Sequence, residues 1–156
     1  MRRIMFVCYG NICRSPMAEF LFRELVRREG FEHEIFVASS ATSIEEIGNP
    51  VHWGTRKKLA EVGISCEGKY AVKLTRGDYE KYDYIIGMDS YNISHIRKII
   101  GEDTEKKVYK LLDFVNGGDI ADPWYTGNFE ETYEDVLTGC NALMKRIKKE
   151  IMEDNK

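Results

Sequence analysis

Cys8 and Arg14 close the pattern C-x5-R within Val7-Cys8-Tyr9-Gly10-Asn11-Ile12-Cys13-Arg14-Ser15-Pro16. The pair joins a sulfur nucleophile to a planar guanidinium that matches two oxygens of a phosphate. Between them, Gly10 allows close backbone approach and Asn11 tolerates the left-handed conformation that curls a loop into a nest of amides. Pro16 suits the first position of a helix. A loop that runs straight into a helix N-terminus aims unpaired N–H groups and the positive end of the helix dipole at one spot. Sulfur placed there is favoured as thiolate, the form that attacks. Ser15 is expected to cap the helix through its side-chain oxygen or to hydrogen-bond the Cys8 sulfur. The chemistry expected of the set is phosphoryl transfer to Cys8.

The elements that must hold this loop alternate. Ile4-Met5-Phe6-Val7 reads as a buried strand, followed by a helix over Pro16 to Glu29 that Gly30 ends. Ile35-Phe36-Val37-Ala38 reads as a second strand, Ser39 to Gly48 as a polar loop, and Asn49-Pro50 as the start of a helix reaching Val62, closed by Gly63. Thr75 with Asp78 resembles a capping box for a short helix. Tyr82 to Met88 and Val108 to Leu112 read as two further strands, with a helix over Ser90 to Ile100 between them. Asn128 with Glu131 caps a last helix that turns Tyr133, Val136, Leu137, Cys140, Leu143, Met144, Ile147 and Ile151 inward. This order predicts a single domain over residues 1–156. The expected fold is α/β and three-layered, with a four-stranded parallel sheet of Rossmann-like or flavodoxin-like kind and helices on both faces. The site is expected at the carboxyl ends of the strands.

Composition narrows the partners. A net charge of −3 over 156 residues speaks against nucleic acid. The basic clusters Arg23, Arg27, Arg28 and Lys145, Arg146, Lys148, Lys149 are interleaved with glutamates, as on solvated helix faces. The apolar run after Arg2-Arg3 is broken too early for a signal peptide, and no stretch approaches the ~18 apolar residues of a membrane span. A cytoplasmic protein is expected, in which four cysteines do not form a disulfide framework. His33, His52 and His95 are dispersed without ligand spacing, so no metal is implied.

The string Val7-Cys8-Tyr9-Gly10-Asn11-Ile12-Cys13-Arg14-Ser15-Pro16 resembles the signature of the low-molecular-weight protein tyrosine phosphatases, and Asp122-Pro123-Trp124-Tyr125 extends the likeness towards the C-terminus. Phosphoryl transfer to sulfur needs a proton for the departing oxygen. Asp122 is the candidate, in a polar loop where Pro123 holds it extended, and the resemblance assigns it that role in both halves of the reaction. By the same resemblance Trp124 and Tyr125 form an aromatic pair at the pocket rim, and Ser39 supports Asn11. The opposite wall is expected from Ser40 to Glu46, where Glu45 stands at a position often aromatic in the family. Cys13 is expected to form a reversible disulfide with Cys8 that guards the nucleophile, as in relatives. Cys66 and Cys140 are expected to be packed thiols.

Rival readings share the fold. A thiol-dependent arsenate reductase would carry a further cysteine pair after the third strand, where Gly87-Met88-Asp89-Ser90-Tyr91 has none. A protein-arginine phosphatase carries a threonine where Ile12 stands, and Ile12 with Trp124 and Tyr125 favours an aryl phosphate. Against a phosphotyrosine-binding or redox-sensing module without turnover stand Cys8, Arg14 and Asp122 together, because binding alone needs neither the thiol nor the acid. The expected function is therefore hydrolysis of phosphotyrosine in a protein substrate through a cysteinyl phosphate. Tyr9 to Ser15 hold the phosphoryl oxygens, no cofactor is needed, and a monomer is favoured.

Overall fold

The computed structural model describes residues 1–156. Ile4-Met5-Phe6-Val7 lie within β1 (Arg2–Cys8), which is buried from Ile4 onward because it has a strand on each side and helices on both faces. The sheet order is β2-β1-β3-β4, with β2 (Ile35–Ala41), β3 (Tyr84–Gly87) and β4 (Val108–Lys110) all parallel to their neighbours. Parallel pairing demands crossovers. These are α1 (Arg14–Arg28) after β1, α2 (Trp53–Glu61) and the one-turn α3 (Asp78–Lys81) after β2, and α4 (Ser90–Ile100) after β3. A 3-10 turn over Leu111–Phe114, the one-turn α5 (Pro123–Thr126) and the long α6 (Phe129–Asp154) follow β4.

Alternate residues of β1 feed opposite layers, as the two-residue strand period requires. Ile4 and Phe6 pack with Met17 and Phe22 of α1 and with Cys140, Leu143 and Ile147 of α6. Met5 and Val7 pack with Leu74, Tyr79, Ile96 and Ile100 on the other face. The three-layer α/β arrangement is thus the one expected, and the carboxyl ends of β1 and β3 place Cys8 beside the turn that contains Asp89.

Several boundaries differ from the sequence reading. α1 starts at Arg14, with Cys13 at the N-cap and no side-chain cap, so Ser15 is buried inside the first turn and is not a cap. β2 runs on to Ala41, since pairing with β1 continues through Cys8↔Ala41; Ser39 and Ser40 are therefore sheet residues and not loop. Asn49-Pro50 does not open α2. Pro50 bridges Tyr70 and the Asn49 carbonyl accepts from Ala71 N–H, while His52 caps the helix by accepting from Gly54 N–H at 3.1 Å.

Asp78 accepts from Thr75 N–H at 2.8 Å, but the N-cap of α3 is Gly77, so only half of the expected box forms. β3 excludes Tyr82 and Asp83, because the Asp83 carboxylate turns back to accept from Arg3 N–H. β4 stops at Lys110, and Leu111 drops into the 3-10 turn to pack on α6. Tyr133 and Leu137 of α6 are half-buried, and the other residues expected inward are buried.

Leu111 meets α6 at Gly139, where a Cβ would stand 2.5 Å from Leu111 Cγ. Alanine is favoured over glycine in a helix by about 1 kcal/mol, whereas overpacking a core costs about 1–3 kcal/mol. Gly139→Ala is therefore expected to lower stability, by up to about 2 kcal/mol once propensity is offset. Denaturant unfolding measures it, and a raised midpoint would contradict this packing.

Candidate active site

The loop from Cys8 to Arg14 curls because Asn11 adopts φ 58°, a left-handed conformation that its short polar side chain tolerates. The curl brings Asn11 N–H to 3.3 Å and Ser15 N–H to 3.4 Å from Cys8 Sγ, and Ser15 Oγ to 3.0 Å. The amides of Tyr9, Gly10, Ile12, Cys13 and Arg14 find no acceptor in the chain. Backbone donors left unpaired in a largely buried loop are rare. Together with the start of a 15-residue helix they form a site for a multiply charged oxyanion above the sulfur.

Arg14 supplies the fixed positive charge. Its Nη1 donates to Asp89 Oδ2 at 2.6 Å and to the Ile120 carbonyl at 2.9 Å, and its Nη2 lies 3.4 Å from Asp122 Oδ2. Burial works against its charge, but Cys8, Asp89 and Asp122 outweigh that and hold the guanidinium above its ordinary value. Asp89 is itself fixed as the N-cap of α4, accepting from Asn92 N–H at 2.7 Å in a reciprocal capping box. Asp122 is the N-cap of α5, its Oδ1 accepting from Trp124 N–H at 3.0 Å, with Pro123 at the first helical position.

Behind the loop runs a buried polar chain. Asn11 Oδ1 accepts from Val72 N–H at 3.1 Å, which fixes the side-chain amide so that Nδ2 faces Ser15 Oγ at 2.7 Å and Ser39 Oγ at 2.9 Å. Ser39 in turn donates to Glu19 Oε1 at 2.5 Å. With Asn11 donating to Ser15 Oγ, the Ser15 proton is left for Cys8 Sγ. Glu19 pairs with Arg23 and lies 3.5 Å from Lys69 Nζ, which also donates to the Ser39 carbonyl at 2.9 Å. Burial pulls the Lys69 ammonium below its ordinary value although Glu19 pulls the other way.

A cavity of about 110 Å³ leads down to Cys8. Gly10, Cys13 and Arg14 line its base, Ile12 and Tyr9 one wall, Trp124 and Tyr125 another, and Asp122 reaches in from the side. Glu45 and Glu46 stand at the rim. Glu45 is not free, because Tyr9 Oη donates to it at 2.8 Å. Trp124 rests edge-on against His52 at 5.7 Å, and His52 stacks on Phe129 at 5.3 Å. Cys8 and Cys13 are free thiols on one cavity, and burial foremost, then the charge of Cys8, pushes the Cys13 thiol well up.

The structure brings together Cys8, Tyr9, Gly10, Ile12, Cys13, Arg14, Glu45, Asp122, Trp124 and Tyr125 around that cavity and places Asn11, Ser15 and Ser39 behind it. Sequence reasoning missed Glu19, Lys69, Asp89 and His52. A signal existed for Glu19, a carboxylate on the apolar face of α1 among Met17, Ala18, Leu21 and Phe22. One existed for Asp89 as well, as Asp-x-x-Asn directly after a central strand.

The family model for low molecular weight phosphotyrosine protein phosphatase matches residues 3–153. The chain is 44% identical over 150 residues to the low molecular weight protein-tyrosine-phosphatase YfkJ of Bacillus subtilis (strain 168), covering 94% of this chain and 96% of that relative. It is 39% identical over 149 residues to PtpA of Staphylococcus aureus, with 94% of each covered. Among solved structures, the crystal structure of YfkJ from Bacillus subtilis superimposes with a TM-score of 0.93 at 43% identity, over 96% of both chains. SP-PTP, a low molecular weight protein tyrosine phosphatase from Streptococcus pyogenes, gives 0.86 at 39% identity over 98% of both.

Ser39→Ala removes the hydroxyl between Asn11 and Glu19 and leaves a buried carboxylate one donor short. Such losses amount to about 1–3 kcal/mol. Affinity for orthovanadate is expected to fall about fivefold to tenfold in a fluorescence titration, since about 1 kcal/mol or somewhat more should reach the loop. Unchanged affinity in a protein of lowered stability would show that the chain of bonds supports the fold and not the anion site.

Proposed function

This chain belongs to the low molecular weight phosphotyrosine protein phosphatase family and is a protein-tyrosine-phosphatase, and on that premise we propose that Cys8, Arg14 and Asp122 carry its reaction. One observation carries the assignment. The sulfur of Cys8 lies at the focus of a loop whose other amides are unpaired, with the only arginine of the loop held beside it.

In the first step Cys8 Sγ attacks phosphorus while the amides of Tyr9, Gly10, Ile12, Cys13 and Arg14 hold the non-bridging oxygens. Arg14 Nη1 stays on Asp89 and Ile120, and Nη2, whose 3.4 Å contact to Asp122 is the longest of its three, turns to the phosphoryl group. That exchange releases Asp122 to carry a proton. The phosphorus–oxygen bond breaks and Asp122 gives the proton to the departing phenoxide.

In the second step the resulting carboxylate takes a proton from a water molecule that attacks phosphorus. The sulfur–phosphorus bond breaks, and the thiolate leaves towards Ser15 Oγ–H and the Asn11 and Ser15 amides. Asn11 and Ser39 are positioning residues in this account. Through Glu19 they hold the Ser15 hydroxyl oriented toward sulfur.

Ile12, Trp124 and Tyr125 give the cavity flat and apolar walls that suit an aryl phosphate. Glu45 and Glu46 at the rim disfavour acidic residues beside the phosphotyrosine. Oxidation of Cys8 by a peroxide would give a sulfenic acid and remove the neighbouring charge that helps keep the Cys13 proton in place. Cys13 sulfur would then displace the hydroxyl, giving a disulfide and water and sparing the nucleophile further oxidation. We also infer a monomer that works in the cytoplasm on phosphotyrosine-containing proteins. No helix of the chain is long and apolar enough to cross a membrane.

Cys8→Ser is expected to abolish turnover of p-nitrophenyl phosphate while the protein still binds phosphate, as measured by calorimetry. Asp122→Asn is expected to slow phenyl phosphate, with its poor leaving group, about 10²- to 10⁴-fold, and p-nitrophenyl phosphate much less. Equal losses on both esters, or none on phenyl phosphate, would remove Asp122 from the acid role.

A further inference from the structure

A second cavity, of about 370 Å³, opens beside the phosphate pocket. Tyr9, Arg14, Asp122 and Tyr125 line both and so form the partition between them. The far wall is α4, which contributes Tyr91, His95 and the inward-turned Asn92. The amide oxygen of Asn92 is already taken by the N–H groups of Met88 and Asp89, so it serves as floor. Tyr91 is 77% exposed and Tyr125 82%, and the Tyr9 and His95 rings lie 6.3 Å apart, tilted by 54°. Aromatic faces therefore surround a floor that carries the carboxylates of Asp89 and Asp122.

The formal charges that line this cavity, Arg14 against Asp89 and Asp122, sum to a negative value. Its one arginine is engaged by both carboxylates, so it presents no free guanidinium. Even with Asp122 protonated for catalysis, Asp89 balances Arg14, and a phosphoryl dianion bound across the partition leaves the neighbourhood negative. A cation is stabilised there twice, by the carboxylate and phosphoryl charges and by the tyrosine faces. A guanidinium gains more than an ammonium because it stacks flat on a ring while its edge donates to a carboxylate.

Successive residues of a bound peptide are about 3.8 Å apart, so a chain whose phosphotyrosine occupies the first pocket brings a neighbouring side chain over the partition. We propose that this cavity is a subsite for a basic side chain, arginine before lysine, one or two residues from the phosphotyrosine of the substrate. The proposal rests on the phosphotyrosine reading of the adjoining pocket and assigns specificity to Tyr91 and His95, which take no part in the phosphoryl transfer.

The test uses phosphotyrosine peptides that differ only by Arg, Ala or Glu at each of the two positions on either side, with p-nitrophenyl phosphate as a probe too small to reach the cavity. For the wild-type enzyme, kcat/KM is expected to be about threefold higher for Arg than for Ala at one of these positions, and about fivefold or more higher than for Glu. His95→Lys places a positive charge in the cavity and should bring the Arg to Glu ratio close to one. Tyr91→Ala should remove most of the advantage of Arg over Ala.

Turnover of p-nitrophenyl phosphate should be the same in all three proteins. Equal rates for Arg, Ala and Glu on well-hydrolysed peptides would overturn the subsite and leave the phosphatase reading standing. A preference for Arg that survives both substitutions would also overturn it, and would move the source to Glu45 and Glu46 on the other rim. Failure to hydrolyse any of the peptides while p-nitrophenyl phosphate turns over would overturn both readings together.

Discussion

The guanidinium of Arg14 is the constraint on which the rest of this structure depends. A charge with 3% of its side-chain surface exposed is destabilising by several kcal/mol unless its donors are met. Asp89, the carbonyl of Ile120 and Asp122 meet them, from segments 75, 106 and 108 residues away. The loop, the start of α4 and the segment after β4 are thereby drawn to one point at the carboxyl ends of the strands. Each partner is fixed in turn. Asp89 caps α4, Ile120 N–H donates to the Met88 carbonyl at 2.9 Å, and Asp122 caps α5. The charge proposed to hold a phosphoryl group is thus in place before any substrate arrives, which is what electrostatic preorganisation requires.

A second layer holds the sulfur. The chain from Glu19 through Ser39, Asn11 and Ser15 to Cys8 consists of groups that are almost wholly buried, and each hydrogen has one place to go. Its polarity follows from a single backbone bond, Val72 N–H to Asn11 Oδ1, which sets the orientation of the amide. Glu19 keeps its charge in the interior because Lys69 and Arg23 accompany it. A half-satisfied version of the same network would be worse than an apolar core. Its completeness argues that it serves the loop.

Much of this was legible from residue order. The strand Ile4–Val7, the loop Cys8–Arg14 and the following helix were visible because an apolar run, a turn and a helix start fell in immediate succession. The alternation of later strands and helices gave the parallel sheet with helices on both faces. The cap of α6 at Asn128 also formed as read, with the side chain accepting from Glu131 N–H at 3.0 Å. What failed were boundaries set by long-range pairing. Ser39 and Ser40 look like loop residues until β1 lies beside them, and Asn49-Pro50 looks like a helix start until Tyr70 and Ala71 claim its backbone.

Glu19, Lys69 and Asp89 were missed for the same reason, although Glu19 and Asp89 each left a local trace. Their partners lie far away in sequence, and a charged residue on a helix face or after a strand is most often solvated. The second cavity is likewise a product of the fold, since α4 brings Tyr91 and His95 next to Tyr9 and Tyr125. Everything proposed for the chemistry requires one covalent species, phosphate on the sulfur of Cys8. Rapid acid quenching of Asp122→Ala during turnover of an aryl phosphate, followed by mass spectrometry of the peptide that carries Cys8, measures it most directly. The account predicts a phosphoryl group on Cys8 that builds up within one turnover; an unmodified Cys8 throughout steady turnover would contradict it.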